Sequence, residues 1–426
     1  MKLLRRALNG AIDYAKRIRA FSYNARLFLL SVVLTSLAMG VFHLLFNFYV
    51  LSLGYTNELV GQLVTVNYTT VFLAALPMGY LGDLLGRKRS LLAGTTIVSL
   101  AVLSMVIFPL LGVLYTMNVL SGIGQSLLTV TMAPFLVENS TEAERVYLFG
   151  FGTGLQMLAS FAGKWIGGYL PTWLAPWHGA SPTSLQAYAS ALLVVGSLSF
   201  LALIPLLLLR GRRGTAKPHE RSVFAPIRYA AQHPRLLSKL LLPVIFISLG
   251  GGMIMPFMNL FFRQVYHQPD TTIGTLFAWG SLTMALGFMI APPIADRLGK
   301  IPTVVLAQAF SIPFLAILGF APWFALSAAA YLVRLALMNM GTPVYQNFVM
   351  ERVEGNARAT VASLLSMAWS FGWMLSPSLS GWLQDHYGFG PPFLITMGCY
   401  LLAIFFNWLF FWNDPVGRKT RAENPT

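Results

Sequence analysis

From about residue 27 to residue 412 the chain repeats one pattern: a long apolar run, a short polar break, another apolar run. Runs of about 20 residues are long enough to cross a bilayer as helices. Twelve are predicted, at 27–50, 59–82, 91–112, 114–137, 147–170, 186–209, 240–262, 273–295, 301–321, 324–349, 359–383 and 392–412. The alternating ten-residue strands of an outer-membrane barrel are absent from the pattern. One substantial polar stretch divides the runs six and six. It holds Arg210, Arg212, Arg213, Lys217, Arg221, Arg228 and Arg235, with Pro218, Pro226 and Pro234 among them. The expected organisation is a basic arm over 1–26, a six-helix bundle over 27–209, a linker over 210–239, a second bundle over 240–412 and a tail over 413–426. A linker of this length is too short for an enzymatic domain. The work of the protein is therefore expected inside the membrane.

Composition agrees. Hydrophobic residues make up 56% of the chain and charged residues 10%, against roughly 25% charged in a soluble domain. The net charge of +15 raises nucleic acid as a partner, but its distribution argues against that. With the N-terminus in the cytoplasm, every Lys and Arg except Lys164, Arg263 and Arg334 falls in the cytoplasmic arm, loops, linker or tail. That is the positive-inside rule, and it predicts an integral protein of a prokaryotic cytoplasmic membrane with both termini cytoplasmic. The single cysteine, Cys399, cannot form an internal disulfide, and the six histidines have no metal-ligand spacing. No metal or cofactor is expected.

The two halves repeat. Asp83 and Asp296 are 213 residues apart, and the same shift carries Gly61 to Gly274, Gly86 to Gly299, Glu138 to Glu351, Arg145 to Arg358 and Gly168 to Gly381. The chain is a duplicated unit, and its function is expected where the copies face each other. Between runs 2 and 3 the first copy reads Gly79-Tyr-Leu-Gly-Asp83-Leu-Leu-Gly86-Arg87-Lys88; the second reads Ala295-Asp296-Arg297-Leu-Gly299-Lys300. So tight a connection needs glycine for its turn. The aspartate is suited to pairing with an arginine or a helix N-terminus.

These residues resemble the signature of the major facilitator superfamily, G-x-L-a-D-r-x-G-r-k. The departure is Leu84, where arginine is common; Arg297 restores it in the second copy. Glu138-x6-Arg145 and Glu351-x6-Arg358 are similar to the pairs that, in this family's sugar porters, join the helix 2–3 motif in an inner-face network. The resemblance implies a latch that closes when the protein opens outward. It also implies an all-α fold of two pseudo-symmetric six-helix bundles that rock about a central site. Gly163-Lys164-Trp-Ile-Gly167-Gly168 resembles the family's antiporter motif G-P-x-x-G-G with Lys164 in place of proline. Asn118 stands where many proton-coupled exporters carry an arginine.

Lys164 and Arg334 are the cations expected well inside apolar runs, where a charge costs roughly 2.5–3.5 kcal/mol. No carboxylate lies within any run, only at run ends, so a bound anion is a natural counter-charge. His43 and Asn47 share a helix face, and Asn259 takes nearly the equivalent place in the second half. Gln125, Gln156, Tyr345, Trp369 and Trp373 complete a polar and aromatic set expected around a cavity, with Arg334, Met338, Gly341 and Tyr345 on one stripe. Gly150-x-Gly-x-Gly154 lies within an apolar run and reads as helix packing, not nucleotide binding. No phosphate-binding G-x-x-x-x-G-K-[ST] motif is present, which points to gradient-driven transport and not to an enzyme.

The expectation is a monomeric secondary transporter of a small organic solute, anionic or amphipathic, with export favoured and an unidentified coupling ion. Alternatives are a proton-driven multidrug pump, a lipid or lysolipid flippase, and a non-transporting membrane sensor.

Overall fold

The computed structural model describes residues 21–210, 229, 231–354 and 357–414. The expected arm over 1–26 lies mostly outside the described residues, as do most of the linker and the tail. Twelve long helices follow in order: α1 Tyr23–Ser52, α2 Asn57–Leu85, α3 Arg87–Ile107, α4 Leu111–Glu138, α5 Glu142–Leu174 and α6 Leu185–Leu207. The second six are α7 Pro234–Gln264, α8 Asp270–Leu298, α9 Lys300–Phe320, α10 Phe324–Arg352, α11 Arg358–Tyr387 and α12 Gly390–Phe411. Each overlaps one expected run. Ten are long and apolar enough to cross a membrane. The other two, α5 and α11, have 33 and 30 residues, about 50 and 45 Å at the helical rise. No strand occurs among the described residues.

The polar breaks end the helices by identifiable means. Ser22 accepts from the Ala25 amide at the start of α1, and Thr141 forms a capping box with Glu144 at the start of α5. Gly86 and Gly299 sit between α2 and α3 and between α8 and α9 with φ of +80° and +92°, a region closed to most side chains. Lys88 donates to the carbonyls of Leu207 and Leu209 at 2.7 and 2.6 Å, capping the end of α6. In α7, Pro256 has no N–H to give the preceding turn, and the helix passes through a 3-10 turn at Met255–Phe257.

Helices α1–α6 form one bundle and α7–α12 the other. They meet along two seams, α2 against α11 and α5 against α8. Ser22 bonds Asn139, and Asn24 bonds both Asn139 and the Arg210 carbonyl. These contacts put the start of α1 and the ends of α4 and α6 at one end of the molecule, here the terminal end. The opposite, distal end carries the starts of α2, α8 and α10.

Candidate pathway between the bundles

The seams are tightest at the distal end, because four glycines stand there. A Cβ added at Gly61 would approach the Pro377 carbonyl oxygen closer than 3.0 Å, and one at Gly381 the Asn57 oxygen. On the other seam Gly274 meets the Lys164 oxygen and Gly168 the Asp270 oxygen just as closely. The repeat relates these contacts residue by residue. The shift of 213 carries Gly61 to Gly274 and Lys164 to Pro377. It likewise carries Gly168 to Gly381 and Asn57 to Asp270. The antiporter-like glycines divide their work: Gly163 and Gly167 pack on α1 at Leu37 and Val41, while Gly168 packs on α8.

Hydrogen bonds reinforce the same end. Asn47 of α1 donates to the carbonyl of Pro256 at 2.6 Å and to Asn259 Oδ1 at 2.9 Å. Asn259 returns a bond to the Leu44 carbonyl at 2.8 Å. The Pro256 carbonyl at the kink thus has its hydrogen-bond donor in the other bundle. Asn57 and Gln264 exchange a reciprocal pair of amide bonds. The Asp385 carboxylate accepts from the Asn57 and Glu58 amides at 3.2 and 2.8 Å, capping α2 from the opposite bundle. Tyr188 of α6 donates to Asp270 at 2.6 Å and accepts from Arg263 at the same distance. Thr65 accepts from the Ser378 amide, and Lys164 donates to Ser281 Oγ at 2.9 Å.

Toward the terminal end the seam-forming helices present open faces. Gly79 on α2 and Gly150 and Gly154 on α5 have no neighbour within 4 Å of an added Cβ. Only Gly152 of that run packs, against Leu29, so the helix packing expected of Gly150-x-Gly-x-Gly154 is seen at its middle glycine and not at the other two. Gln156 on α5, Met289, Pro292 and Pro293 on α8, and Ser366 and Trp369 on α11 are exposed.

The residues expected to gate lie at this end, and their ion pairs stay within each bundle. Arg87 bonds Asp83 at 2.7 Å and Glu138 at 3.0 Å. The shift of 213 carries Arg87 to Lys300, which pairs with Glu351 in the second bundle. The expected Glu-x6-Arg partners are placed otherwise. Arg145 has its Nε buried without a hydrogen-bond partner, and Arg358 reaches the Val353 carbonyl at 3.4 Å. Asp296 and Arg297 are exposed.

The remaining candidates separate. His43 is exposed while Asn47, one turn on, is buried in the cross-bundle clamp. Trp373 stacks obliquely with Tyr68 across the α2–α11 seam, ring centroids 4.9 Å apart. Gln125 bonds Ser121 on its own helix. The α10 stripe faces into its own bundle, not a cavity. Arg334 is wholly buried and donates to Tyr400 of α12 at 3.1 Å, Met338 meets Ser311 and Gly341 meets Val304 of α9, and Tyr345 bonds the Leu240 carbonyl of α7. Helical spacing put these residues on one face correctly, but not which neighbour that face meets. Sequence reasoning missed Asn57, Tyr68, Tyr188, Gln264, Asp270, Ser281 and Asp385 as seam residues. The repeat held a usable signal for four of them, pairing Asn57 with Asp270 and Tyr68 with Ser281.

Two six-helix bundles, duplicated in sequence and joined along two helix-pair seams, define a membrane transporter of the two-bundle class. The family model described as Major Facilitator Superfamily matches residues 28–253 and 240–426, and the chain belongs to that family. The uncharacterized MFS-type transporter YceJ of Bacillus subtilis (strain 168) is 23% identical over 341 residues, 78% of this chain and 83% of that protein. The crystal structure of a bacterial homologue of the human lysosomal transporter Spinster, inward-facing and unoccupied, matches with TM-score 0.76 at 15% identity, covering 91% of this chain and 96% of that one. A mutant of the nucleoside transporter NupG matches with TM-score 0.77 at 14% identity, covering 92% and 100%. At these identities the structural matches speak for the fold alone.

Proposed function

We propose that this protein is a secondary transporter of a small organic solute, anionic or amphipathic, acting as a monomer by alternating access in the cytoplasmic membrane. In this reading the terminal end is cytoplasmic, as the placement of Arg87, Lys88, Arg89, Arg145, Lys300 and Arg358 on that side supports. The arrangement described is then the cytoplasm-open state, and the inward-facing state of the matched Spinster homologue accords with it. Export is the favoured direction.

One observation carries the reading: the two bundles are held at the distal end by four symmetry-related glycines and a set of cross-bundle hydrogen bonds, while the same helices present open faces at the other end. Closing the terminal end would bring the Arg87–Asp83–Glu138 and Lys300–Glu351 groups into the closing surface, where the latch is expected to act. The test is flux in liposomes containing the purified protein. Saturable movement of a candidate solute, lost in Gly274→Leu, supports the proposal. Absence of movement for every solute under every imposed ion gradient contradicts it.

A second reading, lipid or lysolipid movement, is favoured by one feature. An apolar cleft of about 400 Å³ lies beside α1 and α5, lined by Leu29, Leu30, Val33, Phe151 and Leu155, with Arg26 among its lining. Scrambling of a fluorescent lysolipid by the wild type but not by Val33→Trp would select it.

A further inference from the structure

The two seams differ at the depth where both close, and the difference points to a solute class. The shift of 213 pairs Lys164 with Pro377 and Tyr68 with Ser281. Lys164–Ser281 on the α5–α8 seam and the Tyr68 region beside Pro377 on the α2–α11 seam are therefore equivalent places at one level of the bilayer. One place holds a cation and the other an aromatic pair.

At the cationic place, Lys164 is half-buried, and the partner shown for its ammonium is Ser281 Oγ. An ammonium carries three donors, and no carboxylate pairs with this one among the described residues. His43 on α1 is exposed and stands three residues on from Gly40, which packs against the Lys164 backbone. The ammonium, without an acid, makes a local positive field in a region of low dielectric, where an unneutralised charge is costly, and the imidazole beside it offers a further hydrogen-bonding nitrogen. The aromatic place offers the rings of Tyr68 and Trp373, tilted 36° to each other and both partly exposed. Rings so placed favour a flat apolar group.

We propose that Lys164 with His43 and Tyr68 with Trp373 form the two poles of one binding site, and that its ligand is a small organic anion with a flat apolar body, of the aromatic carboxylate type. This rests on the reading of the space between the bundles as a transport pathway. The anion is held by Lys164 and His43 on the first bundle. The apolar body lies against the ring pair that bridges α2 and α11. Because Lys164 also bonds Ser281 across the seam, an arriving anion competes with that bond and loosens the distal closure.

The test uses the full-length protein in nanodiscs and three probes: indole-3-acetate, its neutral amide, and acetate. Binding is read by calorimetry, with thermal unfolding as a check that each variant folds. Indole-3-acetate is expected to bind about tenfold or more tightly than either other probe, a ratio typical of one charge-assisted bond. Lys164→Ala should remove the advantage of the acid over the amide, while Lys164→Arg keeps it. Trp373→Leu should weaken indole-3-acetate and leave acetate unchanged. Equal binding of acid and amide, an unaltered Lys164→Ala, or no binding of any probe overturns the proposal. In the same preparation, thiol labelling at Thr153→Cys and His267→Cys in a Cys399→Ser background reports opening at each end without any ligand. If the two labels switch in opposition while the probes fail, only the site falls; if neither switches, the transport reading falls with it.

Discussion

Arg334 carries a charge into the second bundle with nothing acidic beside it. It is wholly buried, its Nη2 donates to Tyr400, its guanidinium lies 5.5 Å from that ring, and Nε and Nη1 have no hydrogen-bond partner. Replacing a buried, poorly compensated charge with an apolar side chain of similar length is often neutral or stabilising by about 1–4 kcal/mol. Arg334→Met is therefore expected to raise the thermal unfolding temperature; a fall of several degrees would show that the two empty donors serve a bound group. Asn47 is the opposite case, since its amide satisfies Pro256 and Asn259 across the bundles. Asn47→Leu should cost about 1–3 kcal/mol by leaving those acceptors buried and unpaired, and it should raise labelling of distal cysteines. Wild-type labelling in that variant would mean the clamp does not hold the closure. The sequence announced Asn47, Asn259, Lys164 and Arg334 as unusual through their polarity in apolar runs. It did not announce their partners, because a hydrogen bond depends on helix rotation and tilt as well as on spacing. Arg334 illustrates the limit: the same stripe that suggested a cavity face turned out to face α9, α7 and α12.

At the scale of the helix, the twelve spans were legible because apolar length and short polar breaks set them almost alone. What the pattern could not mark was the interruption of α7 at Pro256, which sits inside an apolar run and whose carbonyl is bonded by a helix of the other bundle. Pro256→Ala restores an N–H to the preceding turn and is expected to straighten α7. The result should be weaker distal closure, seen as faster labelling of a distal cysteine, without loss of the bundle fold by circular dichroism. Labelling unchanged from wild type would count against a gating role for the kink. The glycines were visible as landmarks of the repeat, yet their use was not: Gly61, Gly168, Gly274 and Gly381 are where helix backbones meet across the seams. Gly274→Leu places a branched side chain against the Lys164 carbonyl. It should cost about 1–3 kcal/mol through overpacking and hold the α5–α8 seam apart, whereas Gly79→Leu, with open space around it, should change stability little. Equal effects of the two substitutions would show that the seam is not a close contact.

For the whole molecule, duplication is the organising fact. One sequence unit occurs twice, so one seam geometry occurs twice, and the proposed rocking of the bundles has two equivalent lines of contact to turn on. The polar groups are distributed to suit a pivot. Bonds at the distal end cross between bundles, as at Asn47, Asn57, Asp385 and Tyr188, while the ion pairs of Arg87 and Lys300 at the terminal end stay within their own bundle. Such an arrangement has two low-energy states if the terminal groups exchange partners as the distal bonds break. The most direct measurement is a pair of spin-label distances in the Cys399→Ser protein, one between Thr153→Cys and Met289→Cys near the terminal end, the other between Trp173→Cys and His267→Cys near the distal end. Alternating access predicts two populations at each pair, with the terminal distance shortening as the distal one lengthens when solute or an ion gradient is applied. A single unchanging distance at both ends under all conditions would contradict it.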